Sequence, residues 1–184
     1  ELGAFHLELG DFEAAEPLFT AALAMRLDLE GPESRGISET MVNLANIWSI
    51  TGDFEAAESY YRQALAMQRE KLGDDHPFVA STLYGFGTLL FDLESFEEAE
   101  QYVREALDRR IVLFGEDHRE VATAQTKLGQ ILYEQGNLVE AETLLRTAAA
   151  SYERTLGRIH PRVGRSLQLL GLVRFGRGDI DEAV

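Results

Sequence analysis

The chain has 184 residues, 45% of them hydrophobic, with no cysteine and a formal net charge of −15. This length and apolar content can bury a substantial core, the lack of cysteine excludes disulfides and thiolate chemistry, and no apolar run approaches the ~20 residues that span a bilayer. The acidic balance argues against a nucleic-acid backbone as partner, because such binding depends on Lys and Arg releasing counterions. A soluble domain that works in the cytoplasm, without membrane or nucleic-acid contacts, is the expectation.

Along the chain, the first landmark is Gly10-Asp11-Phe12-Glu13-Ala14-Ala15-Glu16. It returns every 42 residues: at Gly52-Asp53-Phe54-Glu55-Ala56-Ala57-Glu58, weakened at Glu94-Ser95-Phe96-Glu97-Glu98-Ala99-Glu100, then at Gly136-Asn137-Leu138-Val139-Glu140-Ala141-Glu142 and Gly178-Asp179-Ile180-Asp181-Glu182-Ala183. About 21 residues out of phase runs a second landmark, Leu72-Gly73-Asp74-Asp75-His76-Pro77, Phe114-Gly115-Glu116-Asp117-His118-Arg119 and Leu156-Gly157-Arg158-Ile159-His160-Pro161, with only a glycine at Gly31 in the first repeat. A fixed period of this size marks stacked like units, each too small to bury its apolar face alone. Two breaks per period make each repeat a pair of helices. The repeats are read as 1–35 (partial), 36–77, 78–119, 120–161 and 162–184 (partial), one array that uses the whole chain. Because the sequence begins without Met inside a helical half-repeat and stops just after a helix has started, it reads as a fragment of a longer protein.

The repeat beginning near Met41 shows why two helices form. Met41, Leu44, Ala45 and Trp48 follow the i, i+3, i+4, i+7 spacing of one helical stripe, which Gly52 terminates. Asp53 then caps a second helix whose apolar stripe is Phe54, Ala57, Tyr61, Ala64 and Leu65, closing at Gly73. Trp48 belongs to the buried stripe. Pro17, inside the second helix of the first repeat, has no N–H to offer Glu13, so a kink is expected there. Small residues recur at matched sites: Ala15, Ala57, Ala99, Ala141 and Ala183; Ala22, Ala64, Ala106 and Ala148; and, on the first helices, Gly3, Ala45, Gly87, Gly129 and Gly171. They let two helix backbones approach closely, although glycine inside a helix costs ~1 kcal/mol relative to Ala. The second helices are net acidic, −4 over 11–30 and −3 over 94–114, whereas the first helices run from −1 over 38–51 to about +3 near the end through Arg162, Arg165 and Arg174.

Leu44-Ala45-x-x-Trp48-x-x-x-Gly52-Asp53-Phe54-x-x-Ala57-x-x-x-Tyr61-x-x-Ala64-Leu65 resembles the tetratricopeptide repeat. The 42-residue step and the Leu-Gly-Asp-Asp-His-Pro linker are similar to the long-period variety of kinesin light chains and of many bacterial signalling proteins. The resemblance implies an all-α, right-handed superhelical solenoid of antiparallel helical hairpins that binds protein or peptide and carries no catalysis or cofactor. It also implies a concave face lined by first-helix residues: Glu39, Val42, Asn43, Asn46 and Ser49; Ser81, Tyr84, Thr88 and Phe91; Thr123, Thr126, Lys127, Gln130 and Tyr133; Arg165 and Gln168. Of these, Asn43, Asn46, Tyr84, Thr88, Lys127, Gln130, Arg165 and Gln168 are the candidate peptide contacts, with acidic residues of the peptide directed at Lys127 and Arg165. Only Asn43 matches the cargo-contacting Asn of kinesin light chains; its equivalents are Gly85, Lys127 and Leu169. The general mode, a peptide in a groove, is what carries over.

Other chemistry reads as structure. His76, His118 and His160 sit in successive repeats about 10 Å apart at helix-packing spacing, whereas zinc draws nitrogen ligands to ~2.0–2.1 Å of one centre, so they are read as linker residues and no metal is assigned. Pro77 and Pro161 fall at favourable early helical positions. Glu97, Glu98 and Glu100 lie in a first helical turn, where the dipole favours acids, and form a solvated face rather than a catalytic pair. No Gly-rich phosphate loop, nucleophile elbow or Ser/His/Asp arrangement occurs at interpretable spacing. Two alternatives stand beside the interaction scaffold: a regulatory or sensor region of a larger signalling enzyme, and a structural array that self-associates through its exposed ends.

Overall fold

A computed structural model describes residues 2–31 and 34–178. Among them are nine α-helices and no strand: α1 (Leu2–Glu8), α2 (Phe12–Glu30), α3 (Arg35–Thr51), α4 (Phe54–Leu72), α5 (Pro77–Asp92), α6 (Phe96–Phe114), α7 (Arg119–Glu134), α8 (Leu138–Leu156) and α9 (Pro161–Arg177). The fold is all-α, and the 42-residue step is kept to the residue: first helices begin at Arg35, Pro77, Arg119 and Pro161, and second helices at Phe12, Phe54, Phe96 and Leu138. Short turns fold α1 with α2, α3 with α4, and α7 with α8 into antiparallel hairpins. The chain divides into two compact units, residues 1–89 and 90–184.

The turn between the helices of a repeat needs one left-handed residue. Gly10, Gly52, Gly136 and Gly178 take it with φ between 73° and 98°, and Glu94 takes it at φ 59° without being glycine. Asp11 and Asp53 then cap α2 and α4, accepting from the N–H of Ala14 and Ala56 at 3.2 Å. The equivalent Ser95 and Asn137 make no such side-chain bond; Asn137 instead donates to Glu140 Oε2 at 3.1 Å.

The linker histidines cap the first helices. Nδ1 of His76, His118 and His160 accepts the backbone N–H of Phe78, Glu120 and Arg162 at 3.1, 3.2 and 3.2 Å, which fixes each ring as the Nε2–H tautomer. Each satisfies one of the donors that a helix start leaves orphaned.

In the first compact unit, Leu23, Ile37 and Leu44 form a core cluster with Phe19, Met41, Trp48, Tyr60 and Met67 against it. Trp48 is half-buried there: its ring meets Tyr60 edge-on at 4.8 Å and its Nε1–H donates to Glu16 at 2.9 Å. Helix α2 runs without a break across Pro17. Tyr61, fully buried, stacks on Phe86 at 5.6 Å, which joins α4 to α5. In the second compact unit, Ala122, Ala148, Tyr152 and Val163 pack with Leu156 between α7, α8 and α9.

Among the matched small residues packing is tight at Gly129 and open at Gly171, where a built methyl has nothing within 4 Å. Ala15, Ala57, Ala99 and Ala141 are all 0% exposed, while Ala183 lies outside the described residues. A methyl added to Gly129 would sit 2.7 Å from Leu145 Cγ and 3.4 Å from the Ala141 carbonyl oxygen, so α7 and α8 leave no room for a side chain there. A methyl added to Gly3 would stand 3.2 Å from the Phe19 ring, a milder crowding by a side chain.

Candidate functional site

The first helices carry the candidate contacts, and the structure separates those with free polar atoms from those tied into the fold. In the first compact unit, Asn46 is half-buried, and its Oδ1 accepts the Tyr61 hydroxyl at 2.5 Å, leaving the amide nitrogen. Burial pushes the Tyr61 phenol well above its ordinary value, against a smaller opposing effect of the Ser49 hydroxyl. Tyr84 and Thr88 are half-buried one turn apart on α5, with the Thr88 hydroxyl donating to the Tyr84 carbonyl at 2.9 Å.

Asn43 stands differently. With Glu39 and Val42 it forms one wall of an open cavity of about 280 Å³ between α3 and α5, and Phe78, Ser81 and Thr82 form the opposite wall. Gln68 of α4 makes the floor; it is only 2% exposed, and its Oε1 meets no hydrogen-bond donor of the protein. Buried polar atoms are nearly always satisfied, so such an oxygen marks a place that wants a donor.

In the second compact unit, Lys127 is half-buried with Nζ 4.4 Å from the centroid of the Phe91 ring, close enough for cation–π attraction. Burial holds its pKa below the ordinary lysine value; Asp92 opposes the shift and Arg165 adds to it. Lys127 and Arg165, read together from the sequence, thus feel each other's charge. Gln130 is half-buried, and Arg165 and Gln168 are exposed. Thr123 and Thr126 are spent internally: the Thr123 hydroxyl lies 2.8 Å from the Tyr152 hydroxyl, and Thr126 donates to the Ala122 carbonyl at 2.8 Å beside Ser166.

Ion pairs run within second helices and between them and first helices, as where Arg174 and Arg177 of α9 meet Glu142 of α8. Arg104 bridges Glu100 of its own helix, at 2.6 Å, to Glu140 of α8, at 2.8 Å. The Arg104 hydrogen bond holds the Glu100 carboxyl below its ordinary value, whereas Glu97 and Glu98 are exposed in the first turn of α6.

One position escaped the reading of the sequence. Arg26, Gln68, Arg110 and Tyr152 are equivalents at the 42-residue step. Arg26 donates to the carbonyl of Gly36 and, at 3.1 Å, to the Thr40 hydroxyl; Arg110, 4% exposed, donates to the carbonyl of Glu120 at 2.9 Å. The equivalents of those acceptors beside Gln68 are Phe78 and Thr82, both in the cavity wall. Following this column along the repeats, rather than only the glycines and alanines, would have exposed the substitution.

Comparison with known proteins agrees with this architecture. The crystal structure of BtubC (BKLC) from P. vanneervenii is 26% identical and superposes with a TM-score of 0.86 over 99% of this chain and 72% of that one. A Podosopora anserina protein described as a kinesin light chain with nearly identical TPR-like repeats is 20% identical, with a TM-score of 0.83 over 99% of this chain and 86% of its own. A Rap protein complexed with competence and sporulation factor is 21% identical, with a TM-score of 0.74 over 98% of this chain and 48% of its own. No curated protein sequence matches. With hairpins at a strict 42-residue step and a family model matched over residues 1–183, the chain belongs to the MalT-like TPR region family.

Proposed function

We propose that this chain is a non-catalytic protein-interaction module that holds a peptide segment against its first helices. The observation that carries the reading is the cavity between α3 and α5, which places Asn43 and Glu39 opposite Ser81 on the next first helix, beside a buried amide oxygen without a donor. Amides and hydroxyls on one strip suit an extended backbone, and Tyr84 offers a ring to an apolar side chain. Asn43, Asn46, Tyr84 and Thr88 are the contacts in the first compact unit; Lys127, Gln130, Arg165 and Gln168 are those in the second, where an acidic residue suits Lys127 and Arg165. The Rap neighbour, complexed with a factor, supports the reading at the level of the fold.

The test is to select peptides on the purified chain by display and to measure their binding to single Asn43→Ala, Tyr84→Ala and Gln130→Ala forms. Loss of binding of about tenfold at two or more of these positions, with unchanged helicity, is the expected result. Binding untouched by all three would reject this face.

A further inference from the structure

We infer that the cavity floored by Gln68 is a pocket for a guanidinium group, the side chain of an arginine in the bound peptide. The inference rests on the reading that a peptide lies along the first helices, and adds which residue it must carry.

The internal repeat supplies the argument. At the equivalent position in two other repeats the chain places its own guanidinium: Arg26 reaches the Gly36 carbonyl and the Thr40 hydroxyl, and Arg110 reaches the Glu120 carbonyl. Gln68 is shorter and ends in an amide, so the acceptor geometry is retained while the guanidinium is missing. Its Oε1 stays buried without a donor, and the Gln68 side chain lines a cavity of about 280 Å³. Thr82 repeats the place of Thr40, and Phe78 repeats that of Gly36 and Glu120, so the residues at the positions that hold a guanidinium elsewhere line this cavity.

The remaining chemistry favours the same ligand. Glu39 adds a carboxylate, Asn43 and Ser81 add acceptors, and the Phe78 ring gives a planar cation an aromatic face. An anion would meet the Glu39 carboxylate, which repels it. A chain at −15 also draws basic segments toward itself over distance. Arginine is preferred to lysine because its planar fork of five donors can serve several acceptors spread around one cavity, whereas an ammonium presents a compact point charge.

The probe is N-acetyl-arginine N-methylamide, with the lysine and citrulline analogues in parallel, titrated into the purified chain and followed by NMR. The expected result is a set of shifts confined to Asn43, Gln68, Phe78, Ser81 and Thr82, weaker with lysine and missing with citrulline, which keeps the shape and loses the charge. Glu39→Gln should weaken the arginine probe about tenfold. Gln68→Arg should abolish its binding while keeping or raising the melting temperature, since it restores the guanidinium that Arg26 and Arg110 supply elsewhere, so loss of binding there cannot be ascribed to unfolding. Equal shifts with citrulline, shifts scattered over acidic surface residues, or full binding in Gln68→Arg would overturn the pocket. A display-selected peptide that depends on Asn43, carries no basic residue and ignores Gln68→Arg would overturn the guanidinium assignment while leaving the first-helix surface standing. Arginine-amide binding that no selected peptide reproduces would overturn the peptide as its source.

Discussion

Glu94 holds a backbone angle that its equivalents assign to glycine, φ 59° in place of Gly52 at 98° or Gly136 at 80°. A side chain in the left-handed region costs roughly 1–2 kcal/mol, so Glu94→Gly should raise the melting midpoint by about 2–8 °C by calorimetry. An unchanged or lower midpoint would mean that the Glu94 side chain compensates the strain. The histidine caps give a second expectation. His118→Ala removes the acceptor for the Glu120 N–H and should destabilise by ~1 kcal/mol, while His118→Asn, which keeps a short side-chain acceptor, should recover most of it. Equal melting of both forms would show the capping bond to be without energetic weight. From the sequence these residues were legible as linkers, and the structure gives them a cap's bond. Their ring tautomer was not legible, because it depends on where a backbone N–H points once the helix exists.

Close approach of helices was legible from the recurrence of Ala and Gly at fixed sites, and it shows at Gly129, whose added methyl would stand 2.7 Å from Leu145 Cγ and 3.4 Å from the Ala141 carbonyl oxygen. Gly129→Ala should therefore destabilise by about 1–3 kcal/mol through overpacking. Gly164, exposed on α9 with nothing within 4 Å of a built methyl, is the control: Gly164→Ala should stabilise by ~0.5–1 kcal/mol through helix propensity alone. Opposite signs in urea unfolding would confirm that glycine serves packing at the first site and not at the second; equal signs would refute it. What stayed hidden at this scale was the state of individual polar atoms. Asn46 and Thr126 look like free groove residues in a helical projection, yet Asn46 receives the Tyr61 hydroxyl and Thr126 donates to Ala122, partners set by rotamers and by packing of one helix on the next. Gln68 illustrates the converse, since a buried residue became visible as part of a cavity only through what its longer equivalents do.

Within each compact unit, much of the charge is used in ion pairs. Second helices use their acids in pairs such as Glu58 with Arg62 at 2.5 Å and the Glu100–Arg104–Glu140 bridge, while first helices keep Asn43, Lys127, Gln130 and Arg165 on the candidate surface. The repeat and the helix pairs could be read from the 42-residue step because that period is a property of local residues. The partner could not, because recognition depends on the few polar atoms the fold leaves unspent. The measurement that bears most directly on the function is calorimetric titration of one display-selected peptide into four proteins: the parent chain, Asn43→Ala, Lys127→Ala, and a control with the exposed second-helix changes Gln63→Lys and Asp108→Lys. Binding should weaken about tenfold in each first-helix variant, with part of the Lys127 loss shrinking at high salt, and should hold in the control while all four melt alike. A peptide that binds both first-helix variants at full strength and loses affinity for the control would place recognition on the second helices and contradict the account.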